Sequence, residues 1–345
     1  MFTRLSTSVF GALVLPLAAC VSLEAAAQDT GTTQAELDGA AALADLRALS
    51  ADFMDGRGTG TRGAAIARSY ITDRFTEIGL TPVYEDYARD FTYRTNNSDE
   101  DREGTNLVGL IEGTGEGGPV MVITAHYDHL GNCDGEICNG ADDNASGVAA
   151  MIAVAGALVA DRPEHDIYIV ALDAEEVGLR GARALVADFP IPLERVALNI
   201  NLDMLAINDE NELPAAGAFH FPFLRERIER AGAVEPAQLI QGYDSPDWGP
   251  QGDWTYSSDH AAFHDQGIPW IYYGVDFHEH YHQPTDEYEV VHQDFFVANA
   301  RTVLNAVRLF DDELDAIAAD LAEMQANAPV AETTAEGSMV KPGME

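Results

Sequence analysis

Five apolar runs of strand length recur along this chain, with segments of helical character set between them. The runs are "NLVGLIEG", "PVMVITA", "DIYIVALDA", "VALNINLDML" and "IPWIYYGV"; the intervening segments include "SGVAAMIAVAGALVAD", "RGARALVADF", "FPFLRERIERAG" and "SDHAAFHDQG". Unbroken apolar runs suit strands buried on both faces, whereas a half-exposed strand would alternate. Together with the helices that return between them, they predict an α/β fold: a mixed, largely parallel central sheet with helices on both faces. An amphipathic helix from about Gln293 to Met324 closes the pattern. No repeat or low-complexity linker interrupts residues 37–325, which read as one domain, and a 345-residue chain that is 46% hydrophobic can fill such a core.

The same runs indicate where chemistry belongs, because open α/β sheets bind ligands beyond the carboxyl ends of their strands. His126 and Asp128 follow "VMVITA", Glu175 and Glu176 follow "IYIVALDA", Asp203 ends "VALNINL", and "HEHYHQPTDEY" follows "WIYYGV". Four strands therefore bring acids and histidines to one edge. Solvated surface acids would fall as readily at amino ends and mid-helix. The densest stretch is "AHYDHLGNCDGEICNGADDNASG", residues 125–147, with two histidines, five acidic residues and two cysteines.

Imidazoles and carboxylates suit a hydrolytic pair of zinc ions that leaves a position open for water. Two ions need a shared carboxylate. Asp143, just before a helix that begins near Ser146, can offer both oxygens from a fixed turn; Asp142 beside it competes for that role. Neighbouring strand residues point to opposite faces, so the Glu175–Glu176 pair needs a turn at the strand end to bring both into one cleft, and "GLRG" follows one residue later.

The formal net charge of -39, from 19 Lys+Arg against 58 Asp+Glu, repels a nucleic-acid backbone and favours cations or positively charged ligand ends. The N-terminus, "MFTRLSTSVFGALVLPLAAC", carries an arginine, an apolar stretch from Val9 to Ala19 and small residues before a cysteine. That is the pattern of a secretory signal, too short for a spanning helix. "LAAC" resembles the bacterial lipobox, which makes residues 1–20 the signal and Cys20 the lipidated anchor in the cell envelope. Cleavage after "EAAA" would instead release a soluble protein. Residues 21–36 and 326–345 are small, polar and expected to be flexible. Export places Cys133 and Cys138 in an oxidising compartment, where a disulfide is expected, with thiolate ligation of a metal as the alternative.

"AHYDH", "ADDNASG", "LDAEEVGLRG", "NLDM", "SDHAAF" and "YHQPTDEY", in this order, resemble the M28 family of co-catalytic zinc aminopeptidases over about residues 45–310. "GRGTGTRG" at 56–63 resembles that family's N-terminal part. The resemblance implies two Zn2+ per chain: His126, Asp143 and Asp203 for one, and Asp143, Glu176 and His282 for the other. It also implies Glu175 as general base and acid, and Asp128 as a hydrogen-bond partner of His126. Tyr256 becomes a candidate oxyanion donor, and the Asp143–Asn144 bond is one that relatives often hold cis.

Other residues compete for these roles. His129 lies past the strand end but close to His126, and His278 and His280 compete with His282, which the spacing to "QPTDEY" favours. His260 is expected to order the cleft by hydrogen bonding, His264 to lie on a helix surface, and Asp173 and Asp276 to cap loops. The expected activity is removal of N-terminal residues from peptides with a free amine, with no obligate protein partner. A glutaminyl cyclase shares the fold but works with one zinc. A binding protein on a dead peptidase fold would have lost ligands, and no Gly-x-Ser-x-Gly elbow suggests a serine hydrolase.

Overall fold

The computed structural model describes residues 1–3, 34–95 and 100–327. Cys20, the lipobox and most of both expected flexible segments lie outside the described residues.

The compact unit begins at Ala35. Its strands are β1 (Thr81–Pro82), β2 (Ala88–Tyr93), β3 (Arg102–Ile111), β4 (Val120–His126), β5 (Gly131–Cys133), β6 (Glu136–Cys138), β7 (Ile167–Leu172), β8 (Val196–Leu202), β9 (Glu212–Ala216), β10 (Gln238–Gln241) and β11 (Trp270–Tyr273). Its helices are α1 (Gly39–Leu49), α2 (Arg62–Ile78), α3 (Gly147–Ala160), α4 (Arg180–Ala187), α5 (Arg225–Ala231), α6 (His260–His264), α7 (Gln293–Asp312) and α8 (Leu314–Asn327). The main sheet runs β1-β3-β7-β4-β8-β11-β9-β10, with β2 also paired to β3. Its centre, β7-β4-β8-β11, is parallel, and β3 and β9 flank it antiparallel, so the expected mixed, largely parallel sheet is what forms.

Alternate residues of the central strands feed two different cores. Met121, Ile123 and Ala125 of β4 join the larger core with α1, α2, α3 and α7, whereas Val120 and Val122 join a smaller one with Ala182, Leu185 and Phe263 from α4 and α6. The period of two in a strand sends successive side chains to opposite faces, and both faces are covered, which is why β7 is apolar throughout and β4 nearly so; β8 alternates Asn199 and Asn201 with apolar residues, and these buried amides donate to Thr124 and Ser258. Helix α3 is buried between sheet and helices, and its apolar composition reflects that position.

The expected single closing helix is two. It breaks at Glu313, where the backbone leaves helical geometry (φ -117°, ψ 12°) and the carboxylate takes hydrogen bonds from Arg227 and Arg230 of α5. Phe310, Leu314 and Ile317 stay in the core on either side of the break. Cys133 and Cys138 form the expected disulfide across the β5–β6 hairpin.

Candidate active site

The site assembles at the carboxyl ends of the parallel strands. His126 is the last residue of β4, Asp203 follows β8, and the Glu175–Glu176 pair follows β7. A reversal just before the pair, at Ala174 (φ 62°), and the expected turn just after it, at Gly178 and Leu179 (φ 106° and 57°), bring Glu175 to the cleft and Glu176 against His282. Asp128 secures the reversal: its carboxylate accepts the backbone N–H of Glu175 (3.1 Å) and of Glu176 (3.4 Å). Its expected bond to His126 is made by a different atom. His126 Nδ1 lies 3.0 Å from the Asp128 carbonyl oxygen, while the carboxylate is 3.7 Å away.

The position of Asp143 follows from what its neighbours do. Asp142 is fully occupied: its oxygens accept the backbone N–H of Ala206 (2.7 Å) and Ile207 (3.1 Å), and His278 Nε2 lies 3.1 Å away. Asp286, in the "YHQPTDEY" stretch, accepts the backbone N–H of Asp142 and Asp143. The Asp143–Asn144 peptide is cis. Asp143 is left with both oxygens facing the cluster. Oδ1 stands 3.5 Å from His126 Nε2, which is itself 3.2 Å from Asp203 Oδ1; Oδ2 stands 3.1 Å from His282 Nε2, which is 3.3 Å from Glu176 Oε2. Donors bound at 2.0–2.1 Å to a tetrahedral zinc ion stand about 3.3 Å from one another. Both sets bracket that spacing and share Asp143.

The charge balance also asks for cations. Burial alone would lower the His282 pKa, yet the Asp143 and Glu176 carboxylates outweigh it and raise it to about 10. His126 likewise is raised despite burial, chiefly by Asp203. Burial, with like charge from Asp259, Glu176 and Asp203, raises Glu175 well above the ordinary carboxyl range, although His126 opposes it. For Glu176 burial is overcome by hydrogen bonds from His129 and His282, and its carboxyl falls below that range. Where histidines hold protons this firmly among buried carboxylates, a metal ion can take the protons' place. Each donor type present is one zinc accepts.

Two further residues hold the site from the "GRGTGTRG" stretch. The buried Arg57 guanidinium donates to the carbonyls of Leu49, Tyr127, Asn139 and Gly140, tying α1 to both ends of the loop after β4. The Thr59 hydroxyl lies 3.0 Å from both Asp128 Oδ2 and Asp173 Oδ1, and Asp173 in turn accepts the N–H of Ala174 and Thr105. The motif marked the stretch; the roles of Arg57 and Thr59 depend on pairings some 70 to 115 residues away in sequence, which no local signal encodes.

A small cleft, partly open to solvent, adjoins the cluster and is lined by His126, Asp143, Glu175, Asp203 and His282 with Met204, Trp254, Tyr272, Val275, Phe277 and Tyr281. Tyr256 is not brought to it. That side chain is 60% exposed, its ring meets His264, and its hydroxyl faces Asp265. The turn that carries Trp254 and Ser257 inward sends Tyr256 out, and Tyr281, stacked on the His282 ring at 3.9 Å, is a tyrosine that does line the cleft. His260 Nε2 holds the Trp254 carbonyl (2.8 Å), so it orders the cleft wall. His264 is more than a surface residue: its Nδ1 accepts the Trp270 indole N–H at 3.1 Å. His280 faces Thr285, and Asp276 caps Phe277 N–H. His129, by contrast, is buried against Glu176.

The model of the family described as Peptidase family M28 matches residues 106–307. The chain belongs to peptidase family M28. Aminopeptidase YwaD of Bacillus subtilis (strain 168) is 30% identical over 157 residues, a match that spans 43% of this chain and only 30% of that protein. Among solved structures, BSAP, a zinc aminopeptidase from Bacillus subtilis, superposes with a TM-score of 0.62 at 16% identity, over 80% of this chain and 96% of that one. A glutaminyl cyclase from Bacteroides thetaiotaomicron superposes with a TM-score of 0.64 at 17% identity, over 80% and 99%. At these identities the likeness is one of fold. Within the family, Arg57 and Thr59 lie outside the matched span.

Proposed function

We propose that residues 37–325 form a dizinc aminopeptidase that removes N-terminal residues from peptides outside the cytoplasm. One observation carries this reading: Asp143 turns one oxygen to His126, which lies beside Asp203, and the other to His282, which lies beside Glu176, at spacings that fit two ions sharing a carboxylate. Zinc held by these two sets would polarise a scissile carbonyl and acidify a bound water. Glu175 lines the same cleft, and its raised pKa suits a base that takes a proton from water and returns it to the leaving amine. The surrounding carboxylates favour a cationic or metal-seeking N-terminal amine, and the aromatic and apolar wall supports an apolar first side chain.

The fold is shared with a glutaminyl cyclase, so fold does not separate the two activities; five intact donors in two sets support the peptidase. Incubation with a panel of peptides, with zinc counted on the same sample, tests the reading. Free amino acids should appear from unblocked peptides, and acetylation of the N-terminus should slow release by orders of magnitude. Equal cleavage of acetylated peptides would refute an aminopeptidase, and ammonia released from an N-terminal glutamine without amino acids would assign the cyclase.

The export and anchoring reading rests on the N-terminal pattern, and the Cys133–Cys138 disulfide is in keeping with an oxidising compartment. Cys20→Ser should move the protein from the membrane fraction to the soluble one. Unchanged fractionation, with a mature N-terminus at Gln28, would favour ordinary signal cleavage.

A further inference from the structure

His129 is buried at the edge of the second donor set, with its side chain wholly shielded from solvent. Its Nδ1 lies 2.7 Å from Glu176 Oε1 and 3.7 Å from Asp143 Oδ2, and its Nε2 has no hydrogen-bond partner among the described residues. Gly140 fixes the ring from behind: a Cβ there would come within 2.5 Å of the ring carbon Cδ2. The Gly140 carbonyl is in turn held by Arg57.

Two features separate this imidazole from the ligands. His129, Asp143 and Glu176 lie close enough together to hold an ion, but the His129 spacings of 2.7 and 3.7 Å depart further from the roughly 3.3 Å expected between donors on one tetrahedral ion than the 3.1 and 3.3 Å of His282. A buried ligating histidine also gives its other ring N–H to a protein acceptor, as His126 does to the Asp128 carbonyl, whereas His282, about a third exposed, can give its own to water. If Nδ1 of His129 bound metal, Nε2 would carry the proton and face the interior with no acceptor. With the proton on Nδ1, Nε2 is only an unfilled acceptor, which proteins tolerate better than a buried orphan N–H.

We infer that His129 is a positioning residue for the second metal site: its Nδ1–H donates to Glu176 Oε1 and leaves Oε2 as the oxygen that faces His282 and the metal. The inference rests on the dizinc reading. Residues 126 to 129 then act on the site together. His126 supplies a ligand, Asp128 holds the backbone of Glu175 and Glu176, and His129 fixes the Glu176 carboxylate, which otherwise rotates freely enough to present either oxygen or both.

The test uses the full-length protein, His129→Leu and His129→Asn. An asparagine amide nitrogen falls near the place of Nδ1 and can donate to Glu176, but it is a poor zinc ligand. Chelator competition should show that His129→Leu binds one of its two zinc ions about 10- to 100-fold more weakly and the other unchanged. His129→Asn should recover most of that affinity and keep the visible spectrum of the Co(II)-substituted wild type. Loss in both variants with an altered Co(II) spectrum would make His129 a ligand, and wild-type affinity in His129→Leu would leave it without a role; either result overturns the inference alone. A wild type that binds fewer than two ions overturns the dizinc reading and the inference with it. Should the variants fail to fold, histidine nitrogen shifts in the zinc-loaded wild type decide. Proton on Nδ1 and bare Nε2 are expected, and a metal-shifted Nδ1 with a protonated Nε2 is the contrary result.

Discussion

At the scale of single residues, Glu175 and Glu176 are neighbours in sequence with opposite electrostatic fates. Burial dominates at Glu175, and the like charges of Asp259, Glu176 and Asp203 add to it; at Glu176 two imidazoles win. That difference is in keeping with the separate roles proposed for them. Glu175→Gln should keep both zinc ions and the melting behaviour of the wild type while lowering kcat by roughly 10²-fold or more, since an amide cannot take the proton. Steady-state kinetics beside metal analysis read this directly, and near wild-type turnover would remove Glu175 from its role. The residues that the structure brings together were largely legible: His126 ends a strand, Asp143 precedes a helix, and Glu176, Asp203 and His282 follow strands, where α/β sheets gather ligands. His129 lies past the end of β4, where strand position gives it no clear place. Strand position marks which residues reach the sheet edge, but the loop after β4 folds back under Arg57 and carries His129 to Glu176.

Elements show the same division between what periodicity encodes and what distant contacts decide. The apolar runs marked β3, β4, β7, β8 and β11 because burial on both faces favours apolar side chains, with the few buried amides, such as Asn199 and Asn201, paired inside. The 293–324 segment keeps one amphipathic pattern through Glu313, so nothing local announces a break. The break belongs to α5, whose Arg227 and Arg230 both reach the Glu313 carboxylate. Those hydrogen bonds, Arg230 first, hold the Glu313 pKa below its ordinary value against the opposing effect of burial. A carboxyl depressed in the folded state adds stability above its unfolded pKa and loses it as pH falls through the folded one. Glu313→Gln should therefore lower stability at pH 7 by about 0.5–1 kcal/mol, as for other partly exposed pairs. The gap between variant and wild type should close as pH is lowered below about 4. Denaturant unfolding at several pH values would show it; a gap that widens toward acid would contradict the assignment.

For the whole molecule, the excess of 58 acidic over 19 basic side chains acts on stability and on substrate capture in opposite directions. Like charges spread over one chain repel in the compact state, so added salt should stabilise the fold. The same field draws a cationic amine toward a cleft lined by Asp143, Glu175 and Asp203, so salt should weaken capture. The Debye length falls from about 30 Å at 0.01 M to about 10 Å at 0.1 M, so most of both effects belongs at low ionic strength. Salting-out of apolar surface grows instead at high concentration and with sulfate or phosphate, so sodium chloride below about 0.3 M isolates screening. Over that range the melting temperature should rise, while kcat/KM for an unblocked peptide falls through KM with kcat nearly constant. An acetylated peptide, having no cationic end, should show no such fall in whatever residual turnover it has. A melting temperature that is flat or declines over the same range would mean that the acidic side chains are already neutralised by bound cations. An equal salt effect on both peptides would mean that the field of the cleft does not read the amine.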